Sequence, residues 1–345
     1  MDTSIQILEN VSLAPYTTLR IGGAARYFVT AANERDLIEA FQFASANGLD
    51  TFVLGGGSNI LVADAGFDGL VVQIGLKGIS TGSNPSEISA QAGEDWDGFV
   101  AHCISQGSAG VECLSGIPGS VGGTPVQNVG AYGQEVSESI VSVRCFDRNE
   151  GRIVELMNAD CGFAYRTSTF NSTQKEKFVV LAVTFRLKQN GVPTVVYKDL
   201  LDNFAGRQPT LQEARDAVLK IRRAKSMVID ASDPNSLSAG SFFKNPVVSN
   251  GEYEQVLSDF NGALPKFAVD DDNVKIPAAW LIENSGFHKG YRLGNAGIST
   301  KHTLAIVNCG GATAKEVIDL KDSIQASVER KFGILLQPEP IFVGF

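Results

Sequence analysis

Two glycine-dense stretches carry residue types that could hold a phosphorylated ligand. The first is Leu54-Gly55-Gly56-Gly57-Ser58-Asn59, directly after the β-like run Thr51 to Leu54. The second runs from Gly116 to Gly133 and meets no charged side chain before Glu135. Glycine has no Cβ, so successive backbone N–H groups can converge on phosphate oxygens as an anion-binding nest. Gly55, Gly56, Gly57, Gly119, Gly122, Gly123 and Gly130 are candidates for such close approach, and Ser58, Asn59, Ser120 and Thr124 add short hydroxyl or amide donors. Gln127 and Asn128 offer both donors and acceptors, which suits the edge of a flavin ring or an adenine. The plainer alternative is a pair of tight loops in which glycine only supplies positive φ. The Gly55 triplet fits either reading. The later stretch is poorly composed for a solvated loop and well composed for a buried, ligand-lined one. No GxGxxG opens a helix and no GxxxxGK[ST] occurs, so a dinucleotide held here is held without a Rossmann or P-loop site.

The elements that must position these stretches can be read from periodicity and end signals. Asn33 caps an expected helix with the stripe Leu37, Ile38, Phe41 and Ala44, ended by Gly48. Trp96, Phe99, Val100, Cys103 and Ile104 form a second stripe, stopped by Gly107. Thr210 with Glu213, and Thr313 with Glu316, have capping-box spacing. They open the stripes Ala214, Ala217, Val218, Ile221 and Val317, Leu320, Ile324, Val328, the second ending near Gly333. A shorter helix is expected from Pro277 to just before Gly286. β-like runs cover 51–54, 69–74, 140–146, 152–156, 178–187 and 304–308, with turn residues Asp147 to Gly151 making a hairpin of the third and fourth. Strands and helices mix without strict βα alternation, which predicts an α+β fold rather than a doubly wound sheet. The helix after Thr210 is expected to bridge one domain and the next.

At 345 residues the chain exceeds what one core usually organises, so two or three domains are expected. Lys and Arg total 29 against 38 Asp and Glu, a net charge of −9, which leaves no basic stripe for nucleic acid. Cys103, Cys113, Cys145, Cys161 and Cys309 are scattered without CxxC spacing and read as reduced, mostly buried small hydrophobes. His102, His288 and His302 are far apart, so no metal site is expected. No apolar run approaches the roughly 20 residues of a membrane helix and no signal-peptide core opens the chain. The expectation is a cytoplasmic protein with no membrane contact and no obligate protein partner.

Gly116 to Asn128, followed by Gly130-Ala131-Tyr132-Gly133, closely resembles the IPG…Q-N-x-G-A-Y-G signature of the UDP-N-acetylenolpyruvoylglucosamine reductases, the MurB family. Phe163-Ala164-Tyr165-Arg166, Ala239-Gly240-Ser241-Phe242-Phe243-Lys244-Asn245-Pro246 and Gln337-Pro338-Glu339 agree in order and approximate spacing. Thr17 to Gly23 and Leu54 to Asn59 look like the family's opening, so the resemblance spans almost the whole chain. Its most specific part is the Gly-Ser-Phe-Phe-Lys-Asn-Pro block. Val196 to Leu200 is similar to the tyrosine-containing loop of the type I subgroup. Two positions depart from the pattern: Pro340 follows Glu339 in place of a small aliphatic residue, and Phe267 stands where some relatives carry a substrate-gating tyrosine.

The resemblance implies a vanillyl-alcohol-oxidase/PCMH-type FAD-binding fold. Two FAD-binding subdomains would cover 1–77 and 78–226, the second joined by the C-terminal strand 335–345, and a substrate-binding α+β domain would cover 227–334. It implies noncovalent FAD, NADPH as hydride donor, and reduction of the enolpyruvyl group of UDP-N-acetylenolpyruvoylglucosamine to UDP-N-acetylmuramate in peptidoglycan synthesis. Hydride would reach C3 and a proton C2. Arg166 would clamp the substrate carboxylate, Ser241 would give the proton, and Glu339 would polarise the carboxylate or act through Ser241. Tyr165, Tyr197, Lys225, Lys244 and Asn245 would contact the substrate, with Lys225 also a candidate to stabilise the serine alkoxide and His302 a candidate for the same pocket. Without the resemblance each catalytic residue has a bland reading: a surface arginine at a turn, a turn serine, a solvated charge at a strand entrance. Two rivals remain beside the reductase. One is an oxygen-using flavoenzyme of the same fold, against which Gly116 to Gly133 contains no His or Cys to tether a flavin. The other is an inactive nucleotide-sugar binder, which should have lost Arg166, Ser241 or Glu339.

Overall fold

The structure, a computed structural model, describes residues 5–260 and 262–345. Its helices are α1 (Glu34–Ala46), α2 (Trp96–Ser105), α3 (Lys198–Phe204), α4 (Leu211–Ala224), α5 (Asn250–Phe260), α6 (Ala278–Glu283) and α7 (Ala314–Phe332). The chain forms two compact units. The first holds residues through Val11, Ala25–Gly57 and Asp68–Val228; the second holds Ser12–Ala24, Ser58–Phe67 and Ile229–Phe345. The chain thus leaves the first unit after Val11, again within the Gly55 motif between Gly57 and Ser58, and finally between Val228 and Ile229.

In the first unit, strands Leu8–Ser12, Ala24–Ala31, Phe67–Ile74 and Thr51–Leu54 make one sheet in that order, the last two parallel. An antiparallel sheet follows the order Arg152–Met157, Ile140–Asp147, Phe178–Arg186, Glu87–Gln91, Ile79–Thr81. The hairpin at Asp147 forms as expected, with Asp147 opposite Arg152. Phe178–Arg186 is apolar almost throughout because neighbours pair with it on both edges and five consecutive residues are buried. Trp96, Phe99 and Phe185 pack with ring centroids 4.8–5.9 Å apart and bind α2 to this sheet. Asn33 caps α1 by accepting from the Asp36 amide, and Thr210 and Glu213 close a reciprocal capping box on α4.

The second unit is built on α7. Its stripe Val317, Leu320, Ile324 and Val328 is buried in one core with Phe242, Phe243 and Leu281. Gly333 ends the helix at φ 66°, and the carboxylate of Asp64 accepts from the Ala314 and Lys315 amides at 2.7 and 3.0 Å, adding negative charge where the helix dipole favours it. The terminal strand Ile341–Val343 runs parallel to Ile60–Val62, and two three-stranded sheets complete the unit. Four cysteines are buried, Cys309 is half-buried, and all five are free thiols. No helix among the described residues is long and apolar enough to cross a membrane.

The local readings change at one strand and two helices. The run 304–308 is a strand only at Ile306–Asn308, because a turn in which Ala305 N donates to the His302 carbonyl precedes it. The helix after Pro277 stops at Glu283, before Gly286 as expected. Helices α3 and α5 gave no stripe in the sequence: α3 has seven residues and no side-chain cap, and α5 breaks its apolar spacing around Tyr253 and Val256 with charge.

Candidate functional site

The two glycine-dense stretches meet. A Cβ on Gly56 would lie 2.6 Å from Gly119 Cα, and one on Gly55 would lie 2.8 Å from Ser120 Oγ. Gly122 faces Ala92, whose Cβ would be 2.5 Å from an added Cβ. Glycine at 56 and 122 is therefore required by protein neighbours, whatever approaches the backbone there. The consequence is still a cradle. The turn Val121–Gly123 is fixed by Val121 N donating to the Glu94 carbonyl and Gly122 N to the Ala92 carbonyl, both at 2.9 Å. Gly123 is exposed, Thr124 is buried with its hydroxyl donating to the Val121 carbonyl at 2.8 Å, and Ser120 is buried beside Gly55. The turn's amides and the Thr124 hydroxyl thus serve the protein, and what is left outward is an uncharged, glycine-lined surface with Gly56 and Gly123 exposed, where a flat ring could approach backbone closely.

Asn128 ties this stretch down. It is 1 % exposed, its amide donates to Glu135 at 2.8 Å and to the Ala164 carbonyl at 3.1 Å, and its Oδ1 accepts from the Ser137 amide at 3.1 Å. A side chain expected to meet a ring edge is thus occupied by protein, while Gln127 stays half-buried beside it. The segment it holds, Ala164 to Thr167, is a tight turn closed by reciprocal backbone hydrogen bonds of 2.9 and 3.0 Å. Arg166 sits in that turn at φ 54°, and its guanidinium donates to the Gly130 carbonyl at 2.7 Å and the Asn128 carbonyl at 3.4 Å. Tyr165 lies beneath the guanidinium at 5.4 Å. A Cβ on Gly130 would be 3.1 Å from Arg166 Nη1, so this glycine leaves room for the arginine. Asn128, Tyr132 and Arg166 all hold positive φ, the strained backbone that collects where geometry is imposed for function.

Tyr132 and Tyr197 meet edge to face at 5.4 Å. Burial raises the Tyr132 hydroxyl pKa, partly opposed by Arg222. Arg222 was not singled out by the sequence. It is 7 % exposed, its Nη2 donates to the Met227 carbonyl at 2.6 Å, and its Nε has no hydrogen-bond partner among the described residues. Lys225 follows α4 and pairs with Asp199 at 3.4 Å. Asp97 was also missed: it takes Arg215 in bidentate fashion at 2.6 and 2.8 Å and accepts from the Gly116 amide at 2.6 Å, fixing the start of the glycine-rich stretch. Burial pushes the Asp97 carboxyl upward, but Arg215 and the Gly116 amide outweigh it and hold the pKa below the usual range. Glu112, missed as well, is fully buried and accepts three N–H bonds.

In the second unit, Ser241 to Asn245 runs beside Gln337 to Glu339. Glu339 N donates to the Phe242 carbonyl and Lys244 N to the Gln337 carbonyl, both at 2.9 Å, around an antiparallel bridge between Phe243 and Pro338. This register brings Ser241 and Glu339, 98 residues apart in numbering, onto adjacent backbone segments. Phe242 and Phe243 are fully buried and anchor the block, whereas Ser241, Lys244 and Glu339 are half-buried. Asn59 Nδ2 donates to the Glu339 carbonyl at 3.2 Å and Ile341 N to the Asn59 carbonyl at 3.0 Å, while Ser58 beside it is half-buried. Asn245 Oδ1 accepts from the first amide of α6 at 2.9 Å, so part of this expected substrate contact serves as a helix cap. Phe267 is exposed opposite Lys275, and His302 is half-buried in its turn.

Comparison with known proteins follows these units. A profile described as FAD binding domain matches residues 25–157, and one described as UDP-N-acetylenolpyruvoylglucosamine reductase, C-terminal domain, matches residues 233–343. A Thermobifida fusca protein named UDP-N-acetylenolpyruvoylglucosamine reductase is 44% identical over 97% of this chain and 98% of its own. One of the same name from Saccharopolyspora erythraea is 45% identical over 96% and 94%. The crystal structure of the reductase of that type from Thermus caldophilus superposes with TM-score 0.66 at 25% identity, covering 98% of both chains. The α+β FAD-binding fold expected from the sequence is the fold observed.

Proposed function

Because the chain belongs to the UDP-N-acetylenolpyruvoylglucosamine reductase family, we propose that it is the FAD-dependent, NADPH-consuming enzyme that reduces the enolpyruvyl ether of the UDP-sugar to the lactyl ether of UDP-N-acetylmuramate, in the cytoplasmic stage of peptidoglycan synthesis. The observation that carries the reading in residue terms is the backbone register that seats the Ser241 block against the Glu339 segment. Bound FAD would supply hydride transfer from NADPH to substrate C3. Gly55, Gly56, Gly57, Gly119, Ser120, Gly122, Gly123, Thr124 and Gly130 would hold it mainly through backbone, with Ser58, Asn59, Gln127 and Asn128 adding polar or supporting contacts.

The remaining chemistry belongs to side chains. Arg166 would pair with the substrate carboxylate, where its planar fork and permanent charge stabilise negative charge spreading from C2. Holding that guanidinium on two carbonyls of the glycine-rich stretch preorganises it, so little reorganisation is needed as charge develops. Ser241 would deliver the proton to C2, and Glu339 would polarise the acceptor or act through the serine. Serine is a weak acid, so a cation must support its alkoxide. Lys225 is the candidate, released from Asp199 or acting with it. Tyr165, Tyr197, Lys244 and Asn245 would orient the nucleotide-sugar. The test is whether UDP-N-acetylenolpyruvoylglucosamine reoxidises NADPH-reduced enzyme and yields the lactyl product. Rapid reoxidation by oxygen with no response to this substrate would overturn the assignment in favour of an oxidase.

A further inference from the structure

Glu112 is a carboxylate with 0 % exposure that meets only N–H donors. Its Oε2 accepts from the Gly110 amide at 2.7 Å, and its Oε1 accepts from Gln134 Nε2 and from the Thr194 amide, both at 2.9 Å. Gln134 Oε1 in turn accepts from the Cys113 amide at 2.8 Å, and the Cys113 thiol donates to the Thr194 carbonyl at 3.2 Å. Thr194 is therefore gripped at both its N–H and its C=O. Burial pushes the Cys113 thiol up to about 12, which keeps it a protonated donor.

The segment this grip holds is otherwise tied by Gln208 Nε2, which donates to the Pro193 carbonyl at 3.1 Å, and by Val195, which packs beside Leu200 and Val218. Residues 192–197 have no regular secondary structure, and Val192 and Val196 are 66% and 58% exposed. Three residues past Thr194 comes Tyr197, whose ring meets Tyr132 and whose carbonyl receives the first backbone bonds of α3. Gln134 stands just beyond Gly133 at the end of the glycine-rich stretch. A single buried carboxylate thus joins that stretch and the Tyr197 segment. An ionised group taken out of water is costly unless fully hydrogen-bonded, so a buried glutamate used as a fastener fixes its donors closely.

We propose that Glu112 is a positioning residue for the substrate half-reaction: its carboxylate clamps Thr194 and Gln134 and so fixes Tyr197 against Tyr132. The catalytic part of this proposal rests on the reading of Tyr197 as a substrate contact. In Glu112→Gln the side chain can keep its oxygen on Gln134 and Thr194 only by turning its NH2 against the Gly110 amide, and it loses the charge that strengthens both bonds, so the clamp weakens with almost no change in volume. With the flavin-loaded protein, FAD content and the rate of flavin reduction by NADPH should stay within about twofold, while the KM for the enolpyruvyl substrate rises about tenfold with a smaller change in kcat. Amide hydrogen exchange at 192–198 should accelerate about tenfold or more while that of Phe178–Arg186 is unchanged. Glu112→Gln and Tyr197→Ala should be strongly non-additive on kcat/KM, because a clamp acting through Tyr197 has nothing to position once the ring is gone.

Additive losses, or equal damage to flavin reduction, would overturn the positioning role. Unchanged exchange at 192–198 would overturn the clamp itself. Should Tyr197→Ala alone leave the substrate half-reaction untouched, the reading of Tyr197 falls and the catalytic part goes with it, whatever exchange shows. If Glu112→Gln does not fold, Cys113→Ala, which frees only the Thr194 carbonyl, should move the same KM and the same amides to a smaller extent, and no movement of either would sink the idea.

Discussion

From Gly116 to Gly133 the molecule presents backbone, whereas along Ser241 to Asn245 and Gln337 to Glu339 it presents side chains on two paired extended segments. Around the first region the polar side chains serve protein: Asn128 fastens it to Glu135, Ser137 and Ala164, while Asp97 and Glu112, which precede it in the chain, hold Gly116 and Thr194. In the second region buried Phe242 and Phe243 supply the anchoring, and Ser241, Lys244 and Glu339 are left half-buried. An uncharged, glycine-lined surface can hold a ligand in one place without reacting with it. A pair of strands displaying hydroxyl and carboxylate can move a proton. The comparison implies that damage to the first region should show as lost binding and stability, and damage to the second as lost chemistry in an intact protein.

The largest expected effect tests the second half of that contrast. Ser241→Ala should leave FAD content and flavin reduction by NADPH near normal and slow reoxidation by the enolpyruvyl substrate about 10²–10⁴-fold, the range for losing a general acid. Ser241→Cys should recover part of the rate, and in deuterated solvent the wild type should place deuterium at C2 of the product. Wild-type reoxidation in Ser241→Ala would hand the proton to Glu339 or a water and break the contrast.

Next comes Arg166, which belongs to the first region by its contacts and, in the proposed reaction, to the chemistry by its charge. Arg166→Lys keeps the charge but loses the fork, so stopped-flow should show the substrate half-reaction slowed about 10–100-fold, equivalent to losing a charge-assisted hydrogen bond. Equal slowing of flavin reduction would make Arg166 a support of the glycine-rich stretch alone.

Gly56→Val should behave unlike either. Its Cβ would press into the Gly119 backbone, an overpacking cost of about 1–3 kcal/mol, so both flavin occupancy and Tm should fall. Full occupancy with an unchanged Tm would mean that the two glycine stretches need not touch.

The smallest effect concerns acid. Asp97 has a folded pKa held below its ordinary 3.8, so its stabilisation is present above about that value and is lost as pH falls through the lower folded value. Asp97→Asn should therefore lower Tm modestly at neutral pH and by progressively less below about pH 4, where the wild type protonates as well. A constant Tm difference across pH 2–7 would show that the Asp97 charge does not contribute.

Much of this contrast could be read in the linear chain. The caps at Asn33, Thr210 and Thr313 are local chemistry, three residues from donor to acceptor, and all three form as read. The Ser241 block stood out because its polar residues and its buried anchors Phe242 and Phe243 are contiguous. Glu112 and Asp97 were not, since a lone carboxylate has no meaning until its partners are known, and Thr194 and Arg215 lie 82 and 118 residues away. Gly56 was legible as a special glycine, but its contact with Gly119 was not, because that backbone lies 63 residues on. Helix α3 was hidden by brevity, and the Tyr197 that precedes it was found only through the family pattern.

The strand pairing that joins Ile60–Val62 to Ile341–Val343 also sets a timetable. Asn59 and Glu339 are 280 residues apart, so at about 5–20 residues per second a ribosome needs roughly 15–60 s between making the first and making the second. Throughout that interval the Ile60–Val62 segment has been synthesised without its partner, an apolar edge of the kind that invites pairing with other chains. Synthesis of this protein should therefore depend on chaperones that shield an early, waiting strand, and ribosome-bound chains halted before residue 341 should capture them in pull-downs more strongly than chains that have passed it.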